Sequence, residues 1–275
     1  MSISAPTIRP TVTGPAACHD GPQPNCPPLF LGDWVCVLFI HYEVDAEVLQ
    51  REVPFELDLW NGRALVSLVA FTMRRLRPGF GGWLGEILFK PISTTRFLNV
   101  RAYVRHQNEP GIYFIAEFLS NRLCVPLGPL TFGLPYQAGK LSYRQDGETG
   151  VIEGRVRGAR DQRRLSFQAT PPSPAEFQLC RPGSLDAFLL ERYTAFTRCG
   201  NRRRLFRIRH QPWAQTRMGI GVQDDGLLTT TGKWASGARL AGANFSPGVR
   251  DVRMGRPRRI HKPETRRRLT VFFED

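Results

Sequence analysis

The chain has 275 residues, of which 41% are hydrophobic and 11% aromatic, and this composition excludes general disorder. Its 26 glycines and 22 prolines are typical of many turns and short strands and argue against a helical bundle. A formal net charge of +14 leaves a polyanionic partner open, whereas the longest apolar runs are too short to cross a bilayer.

The N-terminal residues and the cysteines bear on compartment and metal content. Residues 1–28 are rich in Pro, Thr and Gly and lack the basic and apolar regions of a signal peptide, so they predict a disordered arm. The cysteines show neither C-x-x-C spacing nor a Cys/His zinc pattern. We therefore expect a reduced, cytoplasmic protein that has no metal site and no membrane partner.

The first elements follow from an apolar run, a cap and a turn. Trp34–Ile40 predicts a buried strand, and Asp45 predicts the N-cap of a short helix at Ala46–Glu52. Asn61-Gly62 lies between two apolar runs and predicts a β-hairpin. Residues 74–93 are basic and rich in Gly and Pro, so they predict a long loop with one helical turn.

The middle of the chain predicts antiparallel strands. Phe97–Val104 alternates well enough for a strand, and Gly111–Leu119 is its expected partner. Residues 123–134 resemble a loop. Turn residues then separate three short strands of an expected antiparallel meander, which are Gly139–Arg144, Val151–Gly158 and Arg163–Thr170.

The last third predicts one helix and further strands. Ser184 is expected to cap a helix from Leu185 to about Phe196, whose apolar residues repeat at helical spacing. A strand is expected at Leu205–His210 and another near Leu227–Thr231.

Standard catalytic signatures are absent from the sequence. There is no P-loop, no G-x-S-x-G elbow and no H-E-x-x-H, and Gly219-Ile220-Gly221 lacks the third glycine of a dinucleotide loop, so we predict no cofactor. His41, Glu43 and Asp45 would share one face of a strand, which suggests a metal. Asp45 is better used as a helix cap, and we therefore predict no metal there.

Polar residues in two other places are candidates for a site. In a strand, Asn99, Arg101 and Tyr103 share one face, which either faces water or lines a polar cavity. Arg192 lies at an inward position of the predicted helix and needs a carboxylate from elsewhere, so we expect a structural ion pair. His210 follows a strand and is either a packed core residue or a functional group.

A series of sequence blocks occurs in a recognisable order along the chain. The blocks are Phe39–Pro54, Leu57–Phe71, Asn99–Val104, Gly111–Phe118, Gly133–Lys140, Pro174–Phe196, Arg207–Trp213 and Asn244–Val249. Their order resembles that of the YqjF-like family, a bacterial family of unknown function, over roughly residues 30–260. The resemblance implies the fold of the acetoacetate decarboxylase-like superfamily, which is α+β and mainly antiparallel β, with a partly closed barrel or double sheet, a pocket and a few helices packed outside.

The superfamily resemblance also bears on chemistry. Acetoacetate decarboxylases carry a G-F-P-K-K stretch in which a lysine forms a Schiff base with a keto acid. The similar stretch here is Gly133-Leu134-Pro135-Tyr136-Gln137, in which both lysine positions are gone. Lys140 is the only lysine nearby, and it has no adjacent cation to lower its pKa. We therefore expect no Schiff-base decarboxylase activity.

The chain also departs from the pattern of the family that it resembles. A carboxylate is usual just before the N-V-R block, and Phe97-Leu98 occupy that place here. An arginine is usual before L-P-Y, and Cys124–Phe132 contain none. If those two groups act together in relatives, this chain has an altered function or has lost it.

The expected function is binding of a small carboxylate or carbonyl compound in a polar-lined β pocket of one domain at residues 29–249. Arg101 is the expected charge partner, since a guanidinium suits bidentate capture of a carboxylate. The expected ligand-binding side chains are Asn99, Arg101, Tyr103, Tyr136 and His210.

Two alternatives stay open at this point. The first is binding of nucleic acid or another polyanion through a predicted basic tail at residues 250–275, because Arg250 to Arg268 include nine Arg or Lys residues. The second is a lyase or isomerase that uses Tyr136 or His210 as acid or base. The ligand, the presence of enzymatic activity and the oligomeric state are not determined by the sequence.

Overall fold

The computed structural model describes residues 27–260, and strands dominate it. The strands are β1 Phe30–Val44, β2 Glu56–Leu57, β3 Ala64–Pro78, β4 Thr95–His106, β5 Glu109–Leu119, β6 Tyr136–Gln145, β7 Ile152–Gly158, β8 Arg164–Thr170, β9 Gln178–Leu179, β10 Thr194–Cys199, β11 Arg202–Arg209, β12 Ala214–Asp224, β13 Arg239–Met254 and β14 Arg258–Arg259. The helices are α1 Ala46–Glu52, α2 Gly82–Phe89, α3 Leu127–Thr131 and α4 Leu185–Leu190. None of these helices is long and apolar enough to span a membrane, as far as the described residues go.

Nine strands close into a barrel that we call the large ring. Its order is β5-β6-β7-β8-β12-β13-β1-β3-β4, and it closes because β4 pairs with β5. Every pair in it is antiparallel except β5–β6, which is parallel. The ring is therefore a mixed barrel in which most pairs are antiparallel, which confirms the predicted fold class.

A second closed path, which we call the small ring, shares five strands with the first. Its order is β5-β10-β11-β13-β1-β3-β4, with β10 parallel to β5 and β11 antiparallel to β13. The shared strands β1, β3, β4, β5 and β13 form a wall between the two interiors. Since side chains alternate across a strand, Leu38 and Ile40 enter the core of the large ring, whereas Val37 and Phe39 enter that of the small ring.

Several local predictions are confirmed by these elements. Asp45 caps α1, and its carboxylate accepts a hydrogen bond from the Val48 amide at 2.9 Å. The predicted hairpin of Phe97–Val104 and Gly111–Leu119 is the β4–β5 pair. The predicted meander is the antiparallel series β6–β7–β8.

The predicted hairpin at Asn61-Gly62 is only partly correct. Both residues have the positive φ angles that the turn requires, 49° and 78°, and Trp60 bridges Arg63. The run before the turn does not continue along β3, however, because Glu56 and Leu57 pair with β4 instead. The turn therefore reverses the chain locally without making a long hairpin.

The predicted helix at Leu185–Phe196 was too long, since α4 ends at Leu190. Thr194–Cys199 forms β10, whose pairing with β5 and β11 closes the small ring. Helical spacing at Arg192 and Phe196 was a coincidence, and tertiary strand pairing overrides a short apolar periodicity there. Arg192 consequently lies in the connection after the helix rather than on it.

Three other predictions need correction. β3 continues to Pro78 and is followed by the helix α2 within the predicted loop. The strand expected near Leu227–Thr231 is a 3₁₀ turn, Leu228–Thr230. Residues 250–254 complete β13 and Arg258–Arg259 form β14, so the sheet extends past the predicted boundary at 249. Residues 261–275 of that predicted tail, and residues 1–26 of the predicted arm, lie outside the described residues.

Candidate functional site

A row of polar side chains crosses the shared wall on the face that lines the small ring. His41 on β1 pairs in register with Ser67 on β3, and Ser67 pairs with Arg101 on β4. One step along the same face, Asn99 on β4 pairs with Glu117 on β5. All five are buried, so this face of the wall is polar without facing water. The sequence left open whether the polar face of β4 faces water or lines a cavity. In the structure this face lies in the interior of the small ring.

His41 anchors a hydrogen-bonded chain within that row. Its Nε2 lies 3.0 Å from Asn244 Oδ1 and its Nδ1 lies 2.7 Å from Ser67 Oγ, which is 2.6 Å from the Tyr103 hydroxyl. Burial lowers the pKa of His41 to about 3, so the ring is neutral at pH 7. Because an amide oxygen only accepts, Nε2 carries the proton and Nδ1 accepts from Ser67.

Arg101 is a buried cation that has no ionic partner among residues 27–260. It is 8% exposed, and its Nη2 donates to the Leu189 carbonyl at 2.8 Å, where α4 ends. Its Nε has no hydrogen-bond partner, and no carboxylate of the described chain forms an ion pair with it. A buried charge of this kind is costly unless an anion compensates it, so the vicinity of Arg101 favours an anionic ligand.

Arg192, by contrast, is neutralised within the protein. Its Nη1 lies 2.7 Å from Asp58 Oδ2, and the two side chains are 5% and 6% exposed. Asp58 also accepts from Arg105, and the Nε of Arg192 donates to the Phe188 carbonyl at 2.6 Å. Asp58 thus supplies the carboxylate that Arg192 requires, from a loop far away in the sequence.

A small cavity lies against this wall inside the small ring. Asn99, Arg101, Arg192 and His210 contribute its polar lining, and aromatic and aliphatic side chains such as Trp213 line the rest. Its empty space is about 390 Å³, of which the centre of a water molecule reaches about 20 Å³. The cavity in this conformation therefore suits a ligand of a few atoms.

His210 adds a neutral imidazole ring to the lining of the cavity. Its Nδ1 lies 2.7 Å from the Gln211 carbonyl oxygen, which only accepts, so Nδ1 carries the proton. Burial lowers the pKa of His210 to about 4, and the ring is neutral at pH 7 with an unprotonated Nε2. The ring packs among Trp34, Tyr193 and Trp213, with centroids 4.7 to 5.8 Å away.

Glu117 is a buried acid that sequence reasoning missed. It is 2% exposed, its Oε1 has no hydrogen-bond partner, and burial raises its pKa well above the usual value. The Oδ1 of its cross-strand neighbour Asn99 is also unpartnered. The available signal was a single carboxylate in the otherwise apolar run Ile112–Leu119.

The two tyrosines of the predicted site are not among the residues that line the cavity. The Tyr103 hydroxyl contacts Ser67 and the Leu189 carbonyl, 3.0 Å away. Tyr136 pairs with Glu117 across the parallel β5–β6 join, and burial raises its pKa, with a further contribution from Glu117. Its ring lies against Gly128, where an added Cβ would come within 2.5 Å of it.

No lysine of the described residues reaches the small ring. Lys140, the candidate nearest to the Tyr136 stretch, is exposed on β6, and Lys90 and Lys233 are exposed as well. Arg101 and His210 therefore meet at one cavity, together with Asn99, while Tyr103 and Tyr136 support the wall around it. An imine-forming amine is not part of the described arrangement.

Comparison with known proteins identifies relatives in sequence. The family DUF2071, described as "Uncharacterized conserved protein (COG2071)", matches residues 32–250. The uncharacterized protein YqjF of Bacillus subtilis (strain 168) is 33% identical over 183 residues, which cover 66% of this chain and 72% of that protein.

Solved structures show the same fold at low sequence identity. An acetoacetate decarboxylase-like enzyme from Sphingomonas wittichii RW1 superposes with a TM-score of 0.60 at 13% identity, covering 90% of this chain and 100% of that one. The enduracididine biosynthesis enzyme MppR complexed with pyruvate gives 0.59 at 14% identity, with 86% and 92% covered. Acetoacetate decarboxylase from Legionella pneumophila gives 0.58 at 15% identity, with 94% and 98% covered. The chain therefore belongs to the YqjF-like DUF2071 family of uncharacterised proteins and has the acetoacetate decarboxylase-like fold.

Proposed function

We propose that the protein binds a small carboxylate, including 2-keto carboxylates such as pyruvate, in the small-ring cavity and does not form a Schiff base with it. The observation that carries this proposal is the uncompensated guanidinium of Arg101 beside an otherwise apolar cavity. A carboxylate seated there would neutralise the charge and take up the free Nε donor.

The remaining polar groups support the same ligand class. Asn99 adds an amide to the cavity lining, and neutral His210 adds an acceptor that can bind a hydroxyl group or a hydrated carbonyl. Arg192 adds little net attraction, since Asp58 already compensates its charge. The small accessible space restricts the ligand to the smallest carboxylates.

Two further considerations bear on the proposal. The fold neighbour MppR is described in a complex with pyruvate, which makes pyruvate a reasonable first probe. Cys36, Cys124, Cys180 and Cys199 are free thiols, which supports our proposal that the protein works in a reducing compartment such as the cytoplasm.

Arg101→Met should weaken the binding of pyruvate and acetate. Methionine keeps much of the side-chain volume and removes the charge, so we expect affinity to fall by at least about tenfold, the loss typical of one charge-assisted hydrogen bond. Isothermal titration calorimetry at low salt, with each acid at millimolar concentration, measures the change.

The matched control is Arg209→Met, which removes an exposed arginine close to His210 in sequence. It should leave the affinity unchanged. The proposal is wrong if neither acid binds the wild-type protein, or if both variants weaken binding equally, which would indicate an effect of net charge alone.

A second candidate function is proton transfer on a bound keto acid. The observation that favours it is the unprotonated Nε2 of His210 in the lining of the cavity that contains Arg101. We expect the protein to speed deuterium exchange at the methyl group of pyruvate in D₂O, and His210→Gln to reduce that rate by about 100-fold or more. Proton NMR follows the exchange. Equal rates for His210→Gln and the wild type would limit the protein to binding.

A further inference from the structure

A second cavity opens at one end of the large ring, on the opposite face of the shared wall. Its empty space is about 880 Å³, of which the centre of a water molecule reaches about 270 Å³. It is therefore much roomier than the small-ring cavity. We call it the large-ring cleft; strands β1, β3, β4 and β6 contribute most of its walls.

The floor of the large-ring cleft is apolar. Leu38, Ala70, Ile152 and Phe167 line it, and all four belong to the buried core of the large ring. The Tyr143 ring lies beside Phe167, with centroids 6.3 Å apart. The Tyr143 hydroxyl donates a hydrogen bond to the Phe97 carbonyl at 2.8 Å. An aromatic or aliphatic group entering the cleft would therefore meet apolar surface.

The rim of the cleft is basic and lacks acidic residues. Arg74, Arg96 and Arg144 line it, all three are exposed, and none forms an ion pair within residues 27–260. Arg144 lies on the outer face of β6, opposite Glu153 of β7 and close to Asp146, so acids of the same hairpin offset its charge. Arg74 and Arg96 have no acid among the residues that line the cleft, which favours an anion with more than one charge there.

A bulge in β1 shapes the opening. Val35 pairs with Thr72 and Leu38 pairs with Ala70, so two residues of β1 oppose one of β3. Cys36, within this bulge, has a φ of 52°, which is uncommon for a residue with a side chain. The thiol lines the cleft and lies 3.6 Å from Gln145 Oε1. Bulges of this kind redirect side chains, and here one places Cys36 at the mouth of the cleft.

We propose that the large-ring cleft binds a small phosphate ester with an aromatic body, its phosphate held by Arg74 and Arg96 and its body seated on the apolar floor. A phosphate monoester carries a charge of roughly −1.5 to −2 near pH 7 and presents three acceptor oxygens. It therefore matches two unpaired guanidinium groups better than a carboxylate does. Hydroxyls of Thr72, Thr94 and Ser120 add donors at the same opening.

Phenyl phosphate is the probe for this proposal, with benzoate and inorganic phosphate as comparisons. Calorimetry on the full chain at low salt should show that phenyl phosphate binds at least about tenfold more tightly than either comparison, since only phenyl phosphate combines the aromatic body with a double charge. Replacing Arg74 and Arg96 together with glutamine should weaken this binding by roughly 100-fold or more.

The matched control removes two positive charges elsewhere, by replacing the exposed residues Arg160 and Arg239 with glutamine. It should change the affinity for phenyl phosphate less than about threefold. Circular dichroism of both variants checks that they fold. The proposal is overturned if phenyl phosphate does not bind, if the cleft variant binds it as well as the wild type does, or if the control loses as much.

A labelling experiment locates the bound probe independently. Cys36 lines the cleft, whereas Cys199, at the end of β10, is exposed and is not among the cleft residues. Phenyl phosphate should slow the reaction of Cys36 with a maleimide several-fold and leave that of Cys199 unchanged, as peptide mass spectrometry measures. Equal protection of both thiols, or none at Cys36, would place the probe elsewhere. Binding of pyruvate in the small ring does not enter this readout.

Discussion

Asp58→Asn should lower the free energy of unfolding by about 3–5 kcal/mol, which corresponds to a loss of roughly 10 °C in the unfolding temperature for a chain of this size. The asparagine keeps the shape of the side chain and removes its charge. The guanidinium of Arg192, which is 5% exposed and lies 2.7 Å from Asp58, then becomes an uncompensated buried cation. Urea denaturation followed by tryptophan fluorescence measures the change.

Two further variants make the interpretation of Asp58→Asn specific. Glu43→Gln removes a half-buried carboxylate whose partners Arg63 and Arg239 are largely exposed, and it should cost less than about 1 kcal/mol. Combining Asp58→Asn with Arg192→Met removes both buried charges and should recover much of the lost stability. A loss below about 1 kcal/mol for Asp58→Asn would contradict the assignment of a buried, mutually dependent pair.

Glu117→Gln should stabilise the protein at pH 7 and change its stability little at pH 4.5. Burial raises the pKa of Glu117 well above its usual value of 4.5. Between these two pKa values the folded protein retains a proton that the unfolded chain releases. The wild type therefore loses about 1.4 kcal/mol of stability for each pH unit above 4.5, up to the raised pKa. Glutamine has no proton to lose, so its advantage grows with pH.

The measurement is the free energy of unfolding of Glu117→Gln and wild type at several values between pH 4.5 and 7.5. The histidine contributions are the same in both proteins and cancel in the difference. Glu109→Gln is the control, because Glu109 is only half-buried and pairs with Arg207, so its loss should not stabilise the protein. A stability difference for Glu117→Gln that stays constant with pH would show that Glu117 titrates like an exposed acid.

Local sequence patterns predicted many elements because their causes act over a few residues. Asp45 was recognisable as a cap from its position before a short helix. Its hydrogen bond from the Val48 amide joins residues that are three apart in the sequence. The alternation of β4 likewise indicated one polar face, which the structure shows to be buried. Such patterns state that a face is distinct, but they do not say what packs against it.

The failures have the opposite origin. The predicted helix through Phe196 fitted helical spacing, yet β10 forms because it closes the small ring against β5 and β11. Glu117 was not singled out within its apolar strand. That its Oε1 lacks a hydrogen-bond partner among the described residues becomes visible only once the strands around it are in place. Asp58 was not foreseen as the partner of Arg192, because 134 residues separate them.

The sequence by itself determined the family, the mainly antiparallel class of the fold, and the loss of both lysines from the stretch that ends in Tyr136 and Gln137. Only the tertiary structure decided that five shared strands separate two interiors and that Arg101 and His210 line one of them. The physical reason is that the alternation of polar and apolar side chains along a strand involves only residues that are close in the sequence. The identity of the facing strand, and with it the compensation of a buried charge, depends on pairings between residues far apart in the chain.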